Sequence, residues 1–184
     1  MVFGLFRRRT PDLVTVAYSA IVAQARQPHF YAELAVPDTL DGRFEMVSLH
    51  TILVLNRLRG EKDKAGEFGQ QLFDLFFLDM DGSLRELGVG DVSVPKKVKK
   101  MAEAFYGRAA ALGAALASES RAELIEMIDR NVHAGASAPA ASAALAAYVR
   151  ASAETLAAAP VAEILAGRPS WPDQTQFTVS GANR

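Results

Sequence analysis

Residues 41–59 read DGRFEMVSLHTILVLNRLR. On a helical repeat, Phe44, Met46, Val47, Leu49, Ile52, Leu53, Leu55 and Leu58 point in many directions. A helix apolar over most of its circumference belongs at the centre of a bundle, packed by several neighbours. Thr39 or Asp41 supplies its N-cap, and polar residues 60–63 form the loop that follows it.

The neighbours lie on both sides. Upstream, Asp12 caps a helix to about Arg26, with Leu13, Val16, Ala17, Ala20 and Ile21 on one face. Pro28 interrupts it, and Phe30, Tyr31 and Leu34 mark a short helix or turn ending near Pro37. Downstream, a helix from about Lys64 to Leu78 lines Phe68, Leu72, Leu75 and Phe76 on one face, with Phe73 and Phe77 beside it. Gly82, Gly88 and Gly90 predict turns over 79–91 around one short helix, Ser83 to Leu87. Ser93 opens a long helix with Pro95 in its first turn, where a missing N–H costs little. Ser120 and Glu123 match a capping box for a helix to about Val132. Residues 134–139 break the chain, and Ala140 to Ala158 is an alanine-rich helix. No strand-like alternation or internal repeat is present. The expected fold is all-α, a single compact domain over 10–167 with about six to seven helices. Residues 1–9 are read as a flexible arm and 168–184 as a loose tail.

Composition excludes several function classes. The 184 residues are half hydrophobic, enough for one core that buries about 70% of the unfolded surface. A net charge of −1 carries no bulk electrostatic footprint for nucleic acid. The lack of cysteine removes disulfides, thiol nucleophiles and thiolate metal sites. No window supplies the apolar length of a membrane-spanning helix. The opening MVFGLFRRR is too short, and its charge falls on the wrong side, for a secretory signal, so a cytoplasmic location is expected. That arm reads either as a frayed terminus or as a weak surface anchor through Phe3, Leu5 and Phe6 with Arg7, Arg8 and Arg9.

No motif for chemistry survives inspection. An EF-hand loop beginning at Asp79 needs glycine at 84 and glutamate at 90, where Leu84 and Gly90 stand. Gly88 and Gly90 lack the third glycine and preceding strand of a dinucleotide site. His29, His50 and His133 are not spaced as metal ligands. The reading is of a non-enzyme with no metal or cofactor. Lys96, Lys97, Lys99 and Lys100 form either the solvated side of a helix or a contact for an acidic partner. Phe73, Phe76, Phe77, Phe105 and Tyr106 read first as core, but with Leu72, Leu75 and Leu78 they make a heavy apolar load for a small helical domain, part of which would line an apolar groove for a helix of another protein.

Several segments in order carry a resemblance. They are Gln27-Pro28-x-Phe30-Tyr31, Val36-Pro37-Asp38-Thr39, Asp41-Gly42-Arg43-Phe44 and His50. Phe73-Asp74, Asp79-Met80-Asp81, Leu84-Arg85-Glu86-x-Gly88-Val89-Gly90-Asp91, Lys97-x-x-Lys100-Met101 and Phe105-Tyr106-Gly107-Arg108 follow. Together they resemble the ubiquinol–cytochrome c chaperone family in its bacterial form. The resemblance implies a helical chaperone that binds newly synthesised cytochrome b and assists assembly of the bc1 complex. It also raises a contact with a ribosome or, peripherally, with the inner membrane. On that reading Phe30, Tyr31, Phe77, Phe105 and Tyr106 form the client surface. Arg43, Asp81, Arg85, Asp91 and Arg108 form a polar framework that fixes turns and orients helices, and Lys97 and Lys100 meet the ribosome or membrane. The alternative is a helical carrier of haem, quinone or lipid, built around His50 on its apolar helix.

Overall fold

A computed structural model describes residues 12–118, 120–134 and 138–179. The apolar/basic arm lies outside the described residues. The elements are α1 Leu13–Ala25, α2 Pro28–Ala32, α3 Leu40–Leu58, α4 Lys64–Glu86, α5 Val94–Ala117, α6 Arg121–Asn131, α7 Pro139–Ala158 and α8 Val161–Leu165, then a 3-10 turn at Gln174–Gln176. The fold is all-α. Two of the helices have only five residues.

The 41–59 stretch behaves as its composition demands. Every residue from Met46 to Val54 is buried, and α1, α4, α5 and α7 pack around α3. Thr39 caps it, its side chain accepting from the Gly42 N–H at 3.1 Å. Alanine-rich α7 packs between α3 and α6. Two arginines close helix ends across the bundle. Arg57 donates to the Leu156 and Ala159 carbonyls at the end of α7, and Arg150 donates to Ala115, Leu116 and Ser118 at the end of α5. Each places a cation where the last turn leaves carbonyls unpaired.

Two expectations are corrected. The turn region at 79–91 is shorter than its glycines suggested, because α4 continues to Glu86. Gly82 inside a helix costs about 1 kcal/mol. Local and distant contacts offset it: Asp81 pairs with Arg85 one turn on, at 2.6 Å, and Asp79 accepts from the Tyr18 hydroxyl of α1 at 2.7 Å. Burial first, and then that carboxylate, push the Tyr18 phenol pKa well up. The helix stops at Gly88, whose φ of +78° lets its N–H reach the Arg85 carbonyl and the Val89 N–H reach Leu84.

The described part of the tail is not loose. Gly167 turns the chain at φ +81°, so close to α1 that a Cβ there would lie 2.7 Å from Val16 Cγ1. Residues 168–179 then lie against the core. Trp171 stands edge-on to His50 at 5.0 Å, and Phe177 on Tyr148 at 5.5 Å, while His29 Nε2 donates to the Phe177 carbonyl at 2.7 Å. Two aromatic side chains outweigh the two prolines that made this segment read as loop.

Candidate functional site

The apolar face of α4 meets that of α5 in an antiparallel hairpin. Phe76 and Phe105 lie inside it, both buried, with ring centroids 5.2 Å apart. Phe44 of α3 stacks on Phe76 at 6.0 Å and joins the pair to the centre of the bundle. Outward, Phe73 and Phe77 are half-buried and touch at 4.7 Å, and each lies within 6 Å of Phe105. Phe73 also contacts Tyr106 at 5.6 Å, and Tyr106 is 61% exposed. An aromatic ladder thus runs from the core to solvent, its last rungs presenting ring edges and faces to whatever lies outside. Leu78, beyond Phe77 on α4, is also largely exposed.

The five residues expected to form a client surface separate into two places. Phe77, Phe105 and Tyr106 share the α4–α5 ladder. Phe30 and Tyr31 belong to α2, where Phe30 is fully buried between His50 at 5.6 Å and Tyr148 at 4.8 Å. Tyr31 is half-buried, and its hydroxyl donates to the Ala25 carbonyl at 3.0 Å. Burial raises its pKa. Phe30 and Phe105 are therefore corrected from surface to core. Pro28 starts α2 so that Phe30 turns inward, and Phe105 shares the inner face of α5 with Leu112. Neither ring is available to a partner in this fold.

The expected polar framework is three separate clasps. Arg43 pairs with Asp38 at 2.6 Å in the loop before α3, with both side chains exposed. The Arg43 guanidinium holds the Asp38 carboxyl below its ordinary pKa. Arg85 bridges Asp81 on α4 and Asp91 in the loop beyond it. Arg108 of α5 pairs with Glu45 of α3, mostly shielded from water. Burial raises the Glu45 pKa to about 7 despite the guanidinium beside it. The sequence singled out Arg108 but not its partner, because the two are far apart in the chain. Lys97 and Lys100 are exposed on the first turns of α5.

His50 is committed elsewhere. Its Nδ1–H donates to the Met46 carbonyl at 2.8 Å, and its Nε2 accepts the Tyr148 O–H at 2.8 Å. Gln24 donates to the same phenol at 3.0 Å. Burial lowers the His50 pKa to about 4, so the ring is neutral, and burial pushes Tyr148 up to about 12. With both nitrogens engaged and the ring packed on Phe30, Tyr148 and Trp171, His50 offers no ligand to a haem iron. The geometry that motivated a carrier is a polar layer joining α1, α3, α7 and the tail.

One concave surface escaped the sequence reading. Between α6 and α7 lies an open groove of about 340 Å³, floored by Leu124, Ile125, Ala143, Ala147 and Ala151. Its only signal was alanine at four-residue spacing along α7, which in an alanine-rich helix does not stand out.

Among the described residues no helix is long and apolar enough to cross a membrane. Comparison with known proteins gives a coherent result. No curated protein matches the chain. A crystal structure of the Cbp3 homolog from Brucella abortus is similar, with a TM-score of 0.83 and 42% sequence identity over 90% of this chain and 91% of that one. The family model for ubiquinol–cytochrome c chaperones matches residues 32–171, which spans α3 to α8 and the whole aromatic ladder. The chain belongs to the ubiquinol–cytochrome c chaperone family.

Proposed function

We propose that this protein binds newly made cytochrome b during assembly of the bc1 complex and holds it on the α4–α5 face. The observation that carries this reading is the ladder ending in Phe73, Phe77 and Tyr106. A membrane helix in water exposes apolar surface at about 25 cal/mol per Å². Half-buried aromatic rings can cover it without hydrolysing a nucleotide, and each keeps a rigid position because its inner edge rests on Phe76 or Phe105. The protein acts by binding rather than catalysis. Lys97 and Lys100, at the start of α5, are proposed to meet an acidic surface at the site of synthesis, on a ribosome or the inner membrane.

Photo-crosslinking tests the client and its place together. A photoreactive residue at Tyr106, in cells making the bc1 complex, is expected to give an adduct containing cytochrome b. The same residue at Ala147, in the α6–α7 groove, is expected to give none. Adducts from Ala147 alone would move the client off α4–α5. The absence of cytochrome b from both adducts, with its haem absorbance unchanged on gene deletion, would sink the reading.

A further inference from the structure

The far end of the α4–α5 hairpin carries a feature that a client groove does not explain. Leu87 is 56% exposed and Val92 is 83% exposed, the latter the most exposed large apolar side chain described. Both lie in the short connection between the helices, and the first two turns of α5 follow at once with Lys96, Lys97, Lys99 and Lys100. Lys99 approaches Glu103 only at 4.0 Å. No carboxylate among the described residues lies within ion-pair distance of the other three. Asp91, the nearest acid in the connection, is held by Arg85. Residues 85–100 hold five basic and two acidic side chains, a net charge of +3 on a chain whose total is −1. A locally positive segment, with three lysines unpaired among the described residues, thus stands beside two exposed aliphatic side chains at one tip.

We infer that the α4–α5 tip docks on an anionic lipid surface, with Leu87 and Val92 entering the headgroup boundary and the lysines meeting acidic headgroups. Aliphatic side chains flanked by lysines are the interfacial pattern. A phosphate contact on RNA would use the lysines but leave Leu87 and Val92 without a role; base stacking would call for aromatic rings, absent from 78 to 104, or a free arginine, and Arg85 is held by Asp81 and Asp91. The Schellman end of α4 and the two ion pairs of Arg85 tie the connection to the helix, which lowers the ordering cost of presenting Leu87 and Val92. The inference rests on the reading of Lys97 and Lys100 as a surface contact and commits that contact to lipid. It places the aromatic ladder, on the same two helices, beside a membrane into which a client must pass.

Flotation of the full-length protein with phosphatidylcholine vesicles, with and without phosphatidylglycerol, tests it. Binding is expected only with phosphatidylglycerol, and is expected to weaken steeply with salt. Each lysine near such a surface is worth about fivefold in affinity, so Lys97→Gln with Lys100→Gln should lose about twenty-five-fold. Leu87→Ser with Val92→Ser should lose at least about tenfold while leaving the charge untouched. Because the chain has no cysteine, Val92→Cys gives a unique site for an environment-sensitive fluorophore, whose emission should shift to the blue on anionic vesicles. No flotation and no shift, with lysine-dependent sedimentation on ribosomes, would overturn the lipid inference and leave the lysine contact standing. No binding to either would overturn both. Flotation unaffected by the serine pair would also overturn the insertion of Leu87 and Val92.

Discussion

Two aromatic clusters in this protein are built from the same kinds of residue and meet water differently. Around His50, the rings of Phe30, Tyr148, Trp171 and Phe177 close on one another; His50 and Tyr148 bond each other, Gln24 and the Met46 carbonyl, while the buried Trp171 Nε1 has no partner among the described residues. Along α4–α5, Phe76 and Phe105 are buried, Phe73 and Phe77 are half-buried, and Tyr106 is mostly exposed among the described residues. The first cluster joins four segments from distant parts of the chain. The second is built mainly from two consecutive helices, with Phe44 of α3 behind it, and its outer rings meet water. Burial of the first stabilises the fold, whereas the opening of the second leaves apolar surface for a partner.

The sharpest way to break this contrast is to truncate one ring from each cluster. Phe30→Ala leaves a cavity in a region that cannot collapse without moving α3 or α7, and should cost about 3–5 kcal/mol. Tyr106→Ala removes a ring that is mostly in water already, and should cost less than about 0.5 kcal/mol. Urea denaturation measures both. Cytochrome b crosslinking through Phe77 should fall in the Tyr106 variant at unchanged stability. Comparable destabilisation by both would mean that the α4–α5 ladder is core after all.

Acid and base treatment separates the two regions by a second route. The folded pKa of His50 lies at about 4, below its ordinary 6.5, so its contribution is present above pH 6.5 and is lost as pH falls toward 4. Glu45, at the α3–α5 clasp, has the opposite sign. Its folded pKa of about 7 lies above the ordinary 4.5, so its contribution is present below pH 4.5 and is lost as pH rises through 7. Between pH 4.5 and 6.5 the two slopes oppose each other, each about 1.4 kcal/mol per pH unit at most. Glu45→Gln removes one of them. Relative to the unaltered protein, it should gain up to about 3 kcal/mol between pH 4.5 and 7. A difference curve that stays flat over that range would show that Arg108 keeps Glu45 ionised in the fold.

The same division decides what could be read from the chain. α3 was legible because nine consecutive buried positions leave an apolar pattern that no surface helix carries. The α4–α5 ladder was half legible: the spacing of Phe73, Phe76 and Phe77 located the face, but which rings are covered depends on Phe44, from another helix. Phe30 was misplaced for the same reason, since its partners His50 and Tyr148 lie 20 and 118 residues away in sequence. The tail was misread because proline-rich, polar composition describes local preference, and Trp171 gains its place only from the finished core. The turn at 79–91 was overestimated where a tertiary bond from Tyr18 to Asp79 supports a helix that glycine alone would weaken. The exposure of Leu87 and Val92 was not legible, because it depends on where the end of α4 and the connection to α5 sit relative to the rest of the bundle.

The smallest effect expected is at the hairpin tip. Arg85 makes two ion pairs there, to Asp81 and Asp91, and its pKa is raised first by the Asp81 hydrogen bond. All three side chains are in contact with water, where solvent screening leaves an ion pair little net effect. Arg85→Gln should therefore leave the midpoint of urea denaturation essentially unchanged. Its local effect should be larger than its global one, because the arginine ties the connection to α4 while the rest of the molecule is held by the buried faces of α3, α5 and α7. Amide hydrogen exchange should accelerate at Gly88 to Val92 and stay unchanged in α3. Acceleration spread through α4 and α5 would mean that the tip is coupled to the aromatic ladder, and that its charges help to set the shape of the surface behind it.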